Sequence, residues 1–328
     1  MLDPDHLDIA DFSALGTRPC LVVEAAHFRR GQVPIQSVVI GLDVAGQLPV
    51  VDPADFDLLL TGANDPPAPW VGVRDCGAWA QRLAGRVAAV PVAATILCRT
   101  LRMVVHLGFD DGLMVESLAY STLLGGSEFR RWLSRRPTQP MPAQYRADPV
   151  WAAREGDILT LTLDHPDGRN AMTAFMRDAL YTALANALAD PSAPKVRLLA
   201  TGRCFSTGGA LAEFGTASDL AQAHIVRTLH ANARLCHLLG DRLEVRFQGA
   251  AIGSGVEIPA AAGRRIATPD AWFQLPELGM GLIPGAGGTV SLSRAIGRHR
   301  TAWMVLSGAR VGVTQAQQWG LVQRVVPE

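Results

Sequence analysis

Lysine is almost missing from this sequence. Lys195 stands alone among 30 basic residues, so positive charge is carried by arginine. A P-loop needs its lysine in G-x-x-x-x-G-K-[ST], which does not occur, and Schiff-base chemistry is left with one candidate. Cysteine is sparse too: Cys20, Cys76, Cys98, Cys204 and Cys236 are odd in number and never form a C-x-x-C pair. That spacing argues against a disulfide framework and against a zinc site, and points to a reducing cytoplasm. Net charge is absent, with 30 basic against 30 acidic residues, so no global field draws the chain to nucleic acid or an anionic membrane. No apolar run reaches the roughly 18 residues of a membrane span, and the acidic start MLDPDHLDIADF lacks the basic region of an export signal. The expectation is a cytoplasmic protein with neither membrane nor nucleic-acid partner.

What is present suits a large packed core: 328 residues, 48% hydrophobic and 18% charged. The clearest seam is RRPTQPMPAQYRADP, where prolines interrupt regular patterning; a linker is placed over 138–150. Before it, CLVVEA, SVVIGLD and FDLLLT read as strands within an α/β segment, 1–77. Over 78–137 apolar residues recur at three- and four-residue spacing, predicting three helices and a fourth in SEFRRWLSRR. After the linker, 151–328 alternates strand and helix: ILTLTL, then a helix capped by Thr173, then VRLLATG, a long helix over ASDLAQAHIVRTLHANARLCHLLG, and LEVRFQG. The fold class is α/β.

Two glycine-rich stretches follow strands and lead toward helices, TGRCFSTGGAL (201–211) and QGAAIGSGVE (248–257). Glycine lets the backbone turn bare N–H groups toward a ligand oxygen, so one such loop makes an anion seat and two facing loops an oxyanion hole. Both are equally readable as tight strand-to-helix turns. Two carboxylates follow, Glu257 and Glu277; each alone is more readily structural, complementing a helix dipole or capping a turn.

The ordered motifs LTLDHPDGRNAM, FSTGGAL, AAIGSGVEIPAAAGRRIAT, FQLPELGMGLIPGAGGTVSLSRAIG and LSGARVGVTQAQQWGLVQRVVP resemble the crotonase (enoyl-CoA hydratase/isomerase) superfamily from about Gly156 to Pro327. The resemblance implies a crotonase-like ββα spiral core. It puts the two oxyanion donors on the backbone N–H of Gly209 and Ser254, the catalytic acids on Glu257 and Glu277, and a contact to the CoA phosphates near Arg169. It also implies an acyl-CoA thioester substrate, with hydration of a trans-2-enoyl-CoA ahead of isomerisation because both acids are present. No metal or cofactor is expected beyond the substrate's own coenzyme A, and the assembly is expected to be a homotrimer or a dimer of trimers. The rival from another class is a catalytically silent acyl-CoA-binding or structural subunit, motivated by Ala210 where the family has Asp and Ser254 where it has Gly. Loss of that Asp predicts a less rigid first loop, and the serine side chain predicts a narrower pocket.

The sequence reaches VVPE where crotonases usually continue into helices that cover the acyl site and build the trimer. Residues 78–137 resemble that helical tail, including the A-x-x-P break and the G-S-E-F element. The reading is a permuted or duplicated-and-trimmed chain, in which 78–137 supplies the helical cap and oligomerisation segment; an unrelated helical domain is the alternative. Glu116, in that segment, is expected to be structural although within reach of a substrate. His224, His230 and His237 are expected on one helix, only the last two sharing a face and without an acid nearby. Phe129 and Trp132 are read as packing aromatics, and Cys204 as inert.

Overall fold

The computed structural model describes residues 9–31, 35–137 and 148–327. The upstream part forms four parallel strands, β1 (Cys20–Glu24), β2 (Val38–Asp43), β3 (Leu58–Thr61) and β4 (Val71–Gly72), hydrogen-bonded in that order. Successive side chains of a strand point to opposite faces. Accordingly Val38, Ile40, Leu58 and Leu60 join the main hydrophobic core, while Val39 and Leu59 pack with Phe56 and Trp70 in a second, smaller cluster on the other face.

Helices follow as α1 (Cys76–Ala89), α2 (Pro91–Val104), α3 (Phe109–Leu124) and α4 (Ser127–Ser134). The Asp75 side chain accepts from Ala78 N to start α1, and Pro91, which cannot donate within a helix, opens α2 in a new direction. The free amides that follow Pro91 are taken up by Glu128 of α4, which accepts from Val92 N and Ala93 N at 2.9 Å each. No single described helix is long and apolar enough to cross a membrane.

The downstream part carries β5 (Val150–Glu155), β6 (Ile158–Leu163), α5 (Ala174–Ala189), β7 (Lys195–Ala200), α6 (Leu220–Leu229), α7 (Asn232–Leu239), β8 (Leu243–Phe247), β9 (Ala250–Ile252), α8 (Ser254–Glu257), β10 (Arg264–Ala267), β11 (Trp272–Gln274), α9 (Gly288–Ile296), α10 (Arg298–Ser307), β12 (Val311–Gly312), α11 (Val313–Trp319) and β13 (Arg324–Val325). Six strands pair in the order β13-β10-β8-β7-β6-β5, all parallel except the β5–β6 hairpin, and β12-β11-β9 form a small second sheet.

Helix α10 is buried along its length and carries the upstream sheet. Its Arg300 donates to Pro66 O (2.9 Å), Arg298 donates to Phe56 O (2.9 Å), and His299 Nε2 lies 3.0 Å from Pro53 O. On the other side, α3 packs on α2, α6 and α9, which brings the upstream helices over the downstream sheet's loops.

Four expectations need correction. The long helix over ASDLAQAHIVRTLHANARLCHLLG is two helices, α6 and α7, broken at His230 and Ala231. There Asn232 Nδ2 donates to Arg177 O and His230 Nδ1 lies 2.7 Å from Asp178 Oδ1, so contacts to α5 override helical continuity. His230 therefore does have an acid beside it, while His224 bonds Ser117 Oγ and His237 stacks on Phe109. Val150, assigned to the linker, opens β5; residues 138–147 of that linker lie outside the described residues. The first glycine loop leads to a 3-10 turn, Leu211–Glu213, rather than directly to a helix.

Candidate active site

The two glycine loops are stitched to each other. Phe205 N donates to Gln248 O (2.8 Å), Ser206 N to Ala250 O (3.1 Å) and Ile252 N to Ser206 O (3.0 Å), so the first loop runs beside β9 like an added strand. Around Gly209 the flanking amides are occupied: Gly208 N donates to Ser206 Oγ (3.1 Å) and Ala210 N to Met172 O (3.1 Å). At the second loop, Gly253 N donates to Gln274 O (2.9 Å). Gly253 adopts φ +51°, and a Cβ there would lie 2.7 Å from Glu277 Oε1 and 3.8 Å from Glu257 Oε1, so only glycine fits between these acids. Among the described residues neither Gly209 N nor Ser254 N donates a hydrogen bond, the latter because it stands in the first turn of α8, where no helical acceptor exists.

Both residues line one cavity of about 510 Å³. Glu257, Glu277, Met172, Phe214 and the turn Gly285–Gly287 complete its downstream wall, and Glu116, Tyr120 and Phe129 of the upstream helices close it. A space of this size and mixed lining fits a small organic ligand.

Glu257 ends α8, its Oε2 accepting from Ala286 N (2.7 Å) and Gly288 N (3.1 Å). Glu277 follows Pro276 in a 3-10 turn, and its Oε2 is buried without a partner. Burial, then the neighbouring charges of Glu277 and Glu116, raise the Glu257 carboxyl well above the ordinary range. Burial, with Glu116 adding to it, pushes Glu277 up to about 8. A carboxyl raised on folding holds its proton more tightly in the folded chain, so its stabilising contribution is complete below about 4.5 and is lost as pH rises through about 8. Glu277→Gln is therefore expected to melt at the wild-type temperature near pH 4 and above it near pH 9; parallel melting curves at both pH values would contradict the raised affinity.

The structure thus brings Gly209, Ser254, Glu257 and Glu277 together. It does not bring Arg169 to them. Arg169 is exposed and holds φ +53°; its N donates to Pro166 O at 2.9 Å and its carbonyl accepts from Thr207 N at 3.1 Å. Ser254 does intrude on the cavity, with a buried Oγ that lacks a partner. Where Ala210 offers no side-chain anchor, backbone bonds to Met172 hold the loop, and Glu213 Oε2 accepts from Ala174 N at the start of α5 (2.9 Å). Cys204 has its thiol pushed up by burial, as an inert cysteine requires. The cavity residues least legible in advance are Tyr120 and Arg227: Arg227 lies 4.6 Å over the Tyr120 ring and bonds Ser117 Oγ at 2.8 Å, contacts that join α3 to α6 across about a hundred residues. The four-residue spacing of Glu116 and Tyr120 on α3, which turns both to one helix face, is the signal that could have found them.

The family model for enoyl-CoA hydratase/isomerase matches residues 153–328. The 2,3-dehydroadipyl-CoA hydratase of Escherichia coli (strain K12) is 34% identical over 180 residues, which cover 53% of this chain and 68% of that protein. The enoyl-CoA isomerase/hydratase fer4 of Mycosarcoma maydis is 30% identical over 195 residues, 55% of this chain and 69% of its own length. Among solved structures, the enoyl-CoA hydratase from Thermoplasma volcanium GSS1 superposes with a TM-score of 0.51 at 28% identity, covering 56% of this chain and 73% of that one. The enoyl-CoA hydratase of Mycobacterium smegmatis does so at 0.50 and 29%, covering 55% and 70%. Since the family match spans more than half of the chain, it belongs to the enoyl-CoA hydratase/isomerase family of crotonase-fold enzymes.

Proposed function

We propose that the protein adds water across a trans-2-enoyl-CoA to give the 3-hydroxyacyl-CoA. The observation carrying this reading is that two unspent amides, at Gly209 and Ser254, share one cavity with two buried acids, Glu257 and Glu277. When water oxygen bonds to Cβ, the Cα–Cβ π pair moves toward the thioester and its carbonyl oxygen becomes an enolate. Preorganised N–H donors stabilise that charge by about 3 kcal/mol each. One carboxylate takes the proton from water, and the other, still protonated, delivers a proton to Cα as the enolate collapses. Two buried acids facing one glycine do not ionise together easily, so the pair holds the single proton that this division requires. Nothing beyond the coenzyme A of the substrate enters these steps.

In the same reading Arg169, exposed beside the first oxyanion loop, meets the CoA phosphates as they leave the cavity, and the chain assembles in the cytoplasm as a trimer or dimer of trimers. Hydration is favoured over double-bond isomerisation because isomerisation needs one acid and here two converge; a relative named as a hydratase of 2,3-dehydroadipyl-CoA supports the same choice. Loss of enoyl absorbance from crotonyl-CoA and longer 2-enoyl-CoAs, with 3-hydroxyacyl-CoA formed in equal amount, is the expected result. A migrated double bond would support the isomerase instead, and tight acyl-CoA binding with no turnover of any thioester would support a silent binding subunit.

A further inference from the structure

We propose that Glu116, on the upstream helix α3, is a positioning residue for Glu257, fastening the backbone turn that holds this acid over the substrate. The inference rests on the reading of Glu257 as a reacting group. Four successive amides lead into α9, and two carboxylates divide them alternately. Ala286 N and Gly288 N donate to Glu257 Oε2, whereas Gly287 N donates to Glu116 Oε1 (2.6 Å) and Thr289 N to Glu116 Oε2 (2.7 Å). Thr289 Oγ1 adds a third bond to Glu116 Oε2 at 2.7 Å. The two acids thus grip opposite sides of one strand of backbone, 171 and 173 residues downstream of Glu116 for its own two amides. At the centre of the turn Gly287 holds φ +105°, and a Cβ on it would come within 2.6 Å of the Ala233 Cβ, so the backbone there has little room to find another path. Without Glu116, amides 287 and 289 lose their acceptors, and the turn is free to rotate the other pair away from Glu257.

A neutral Ser or Asn would cap α9 as well, and at less cost than a carboxylate that is 2% exposed. What the carboxylate adds is charge. Burial pushes Glu116 itself up to about 7, and its charge raises both Glu257 and Glu277. It is opposed by Arg227 on α6; Tyr120, on α3 with Glu116, is raised by burial and by the neighbouring acids, Glu116 among them, and His224 bonds the adjacent Ser117. Charged groups on the elements packed against α3 have other partners: Arg234 pairs with Asp110 and Arg294 lies over Phe109 at the start of α3, Arg102 pairs with Asp57, Arg99 donates to Ile35 O, and on α4 Glu128 accepts from Val92 N and Ala93 N, Arg130 donates to Gly125 O and Arg131 to Ala89 O. Glu116 therefore both fixes the place of Glu257 and helps the acid pair keep its proton near neutral pH.

The test is steady-state hydration kinetics across pH for wild type, Glu116→Gln and Thr289→Val, beside an infrared titration of the Glu257 carboxyl band, identified by its loss in Glu257→Gln. Glu116→Gln keeps the size of the side chain but sets an NH2 group against one of the backbone donors. Its kcat is expected to fall about 10- to 100-fold with KM changed less than about threefold, as for a displaced reacting group. Both limbs of the pH–rate profile should move to lower pH by roughly half a unit to one unit, because a negative neighbour has gone. Thr289→Val removes one of three bonds from Glu116, so Glu116 holds its proton more strongly and carries less charge; the same shifts should appear, smaller, and this variant decides the matter should Glu116→Gln not fold. A residue serving only stability would lower the melting temperature and leave the pH limbs and the infrared midpoint where they were, which would overturn the proposal. If wild type hydrates no enoyl-CoA, the proposed reaction fails, and the Glu257 infrared midpoint, expected to drop in both variants, still judges Glu116.

Discussion

Glu277→Gln is expected to lower kcat for enoyl-CoA hydration by about 10³-fold, within the range that a positioned proton donor or acceptor contributes, while affinity for a saturated acyl-CoA stays within about twofold. The structure makes this a clean substitution. Glu277 Oε2 accepts no hydrogen bond, so an amide group there breaks none, and what is lost is the ability to carry a proton. Glu257→Gln is expected to lose a similar factor, although it is the less clean of the two, because its Oε2 accepts from two backbone amides and the glutamine must present its oxygen to both. Rates within threefold of wild type in either variant, with the fold intact by circular dichroism, would remove that residue from the chemistry.

Ser254→Pro is expected to be nearly as damaging, by about 10²- to 10³-fold in kcat, the loss seen when one oxyanion donor is deleted. A backbone N–H is seldom open to mutation, but Ser254 opens α8, and the first position of a helix is where proline is tolerated, since it lacks a helical acceptor and needs φ near −65°. The substitution leaves the helix start intact, removes the donor and sets the ring Cδ where the N–H pointed into the cavity. Because the donor acts on charge that develops during the reaction, its loss lowers kcat, and the ring Cδ in the seat of the thioester oxygen raises KM as well. A large rise in KM with kcat preserved would mean that the amide binds the ground-state thioester and does not stabilise the enolate.

Much of this site was legible because its determinants are local. Gly208, Gly253 and the acids at 257 and 277 lie in short motifs whose backbone shape is dictated by the glycines themselves: Gly208 takes φ +82° with the place of a Cβ occupied by Ile252 O, and Gly253 leaves no room for a side chain beside Glu277. β6 and the Thr173 cap of α5 were equally plain, since alternation and capping are read within a few residues. What the sequence hid is long-range. The break between α6 and α7 depends on Asp178 and Arg177, more than fifty residues earlier, and the role of Glu116 depends on amides on the far side of the chain. The upstream strands were each visible as apolar runs, but that β3 and β4 pack on α10 was not, since that helix approaches from the other end of the sequence. At Arg169 the motif supplies the residue type, while a backbone with φ +53° sets the residue outside the cavity, at the exposed surface.

The most direct test is a crystal structure of the wild-type protein with acetoacetyl-CoA, a thioester that mimics the substrate but cannot be hydrated. The thioester oxygen should lie about 3 Å from both Gly209 N and Ser254 N, with Glu257 and Glu277 flanking Cα and Cβ. A thioester seated in the cavity with its oxygen turned away from either amide would contradict the mechanism.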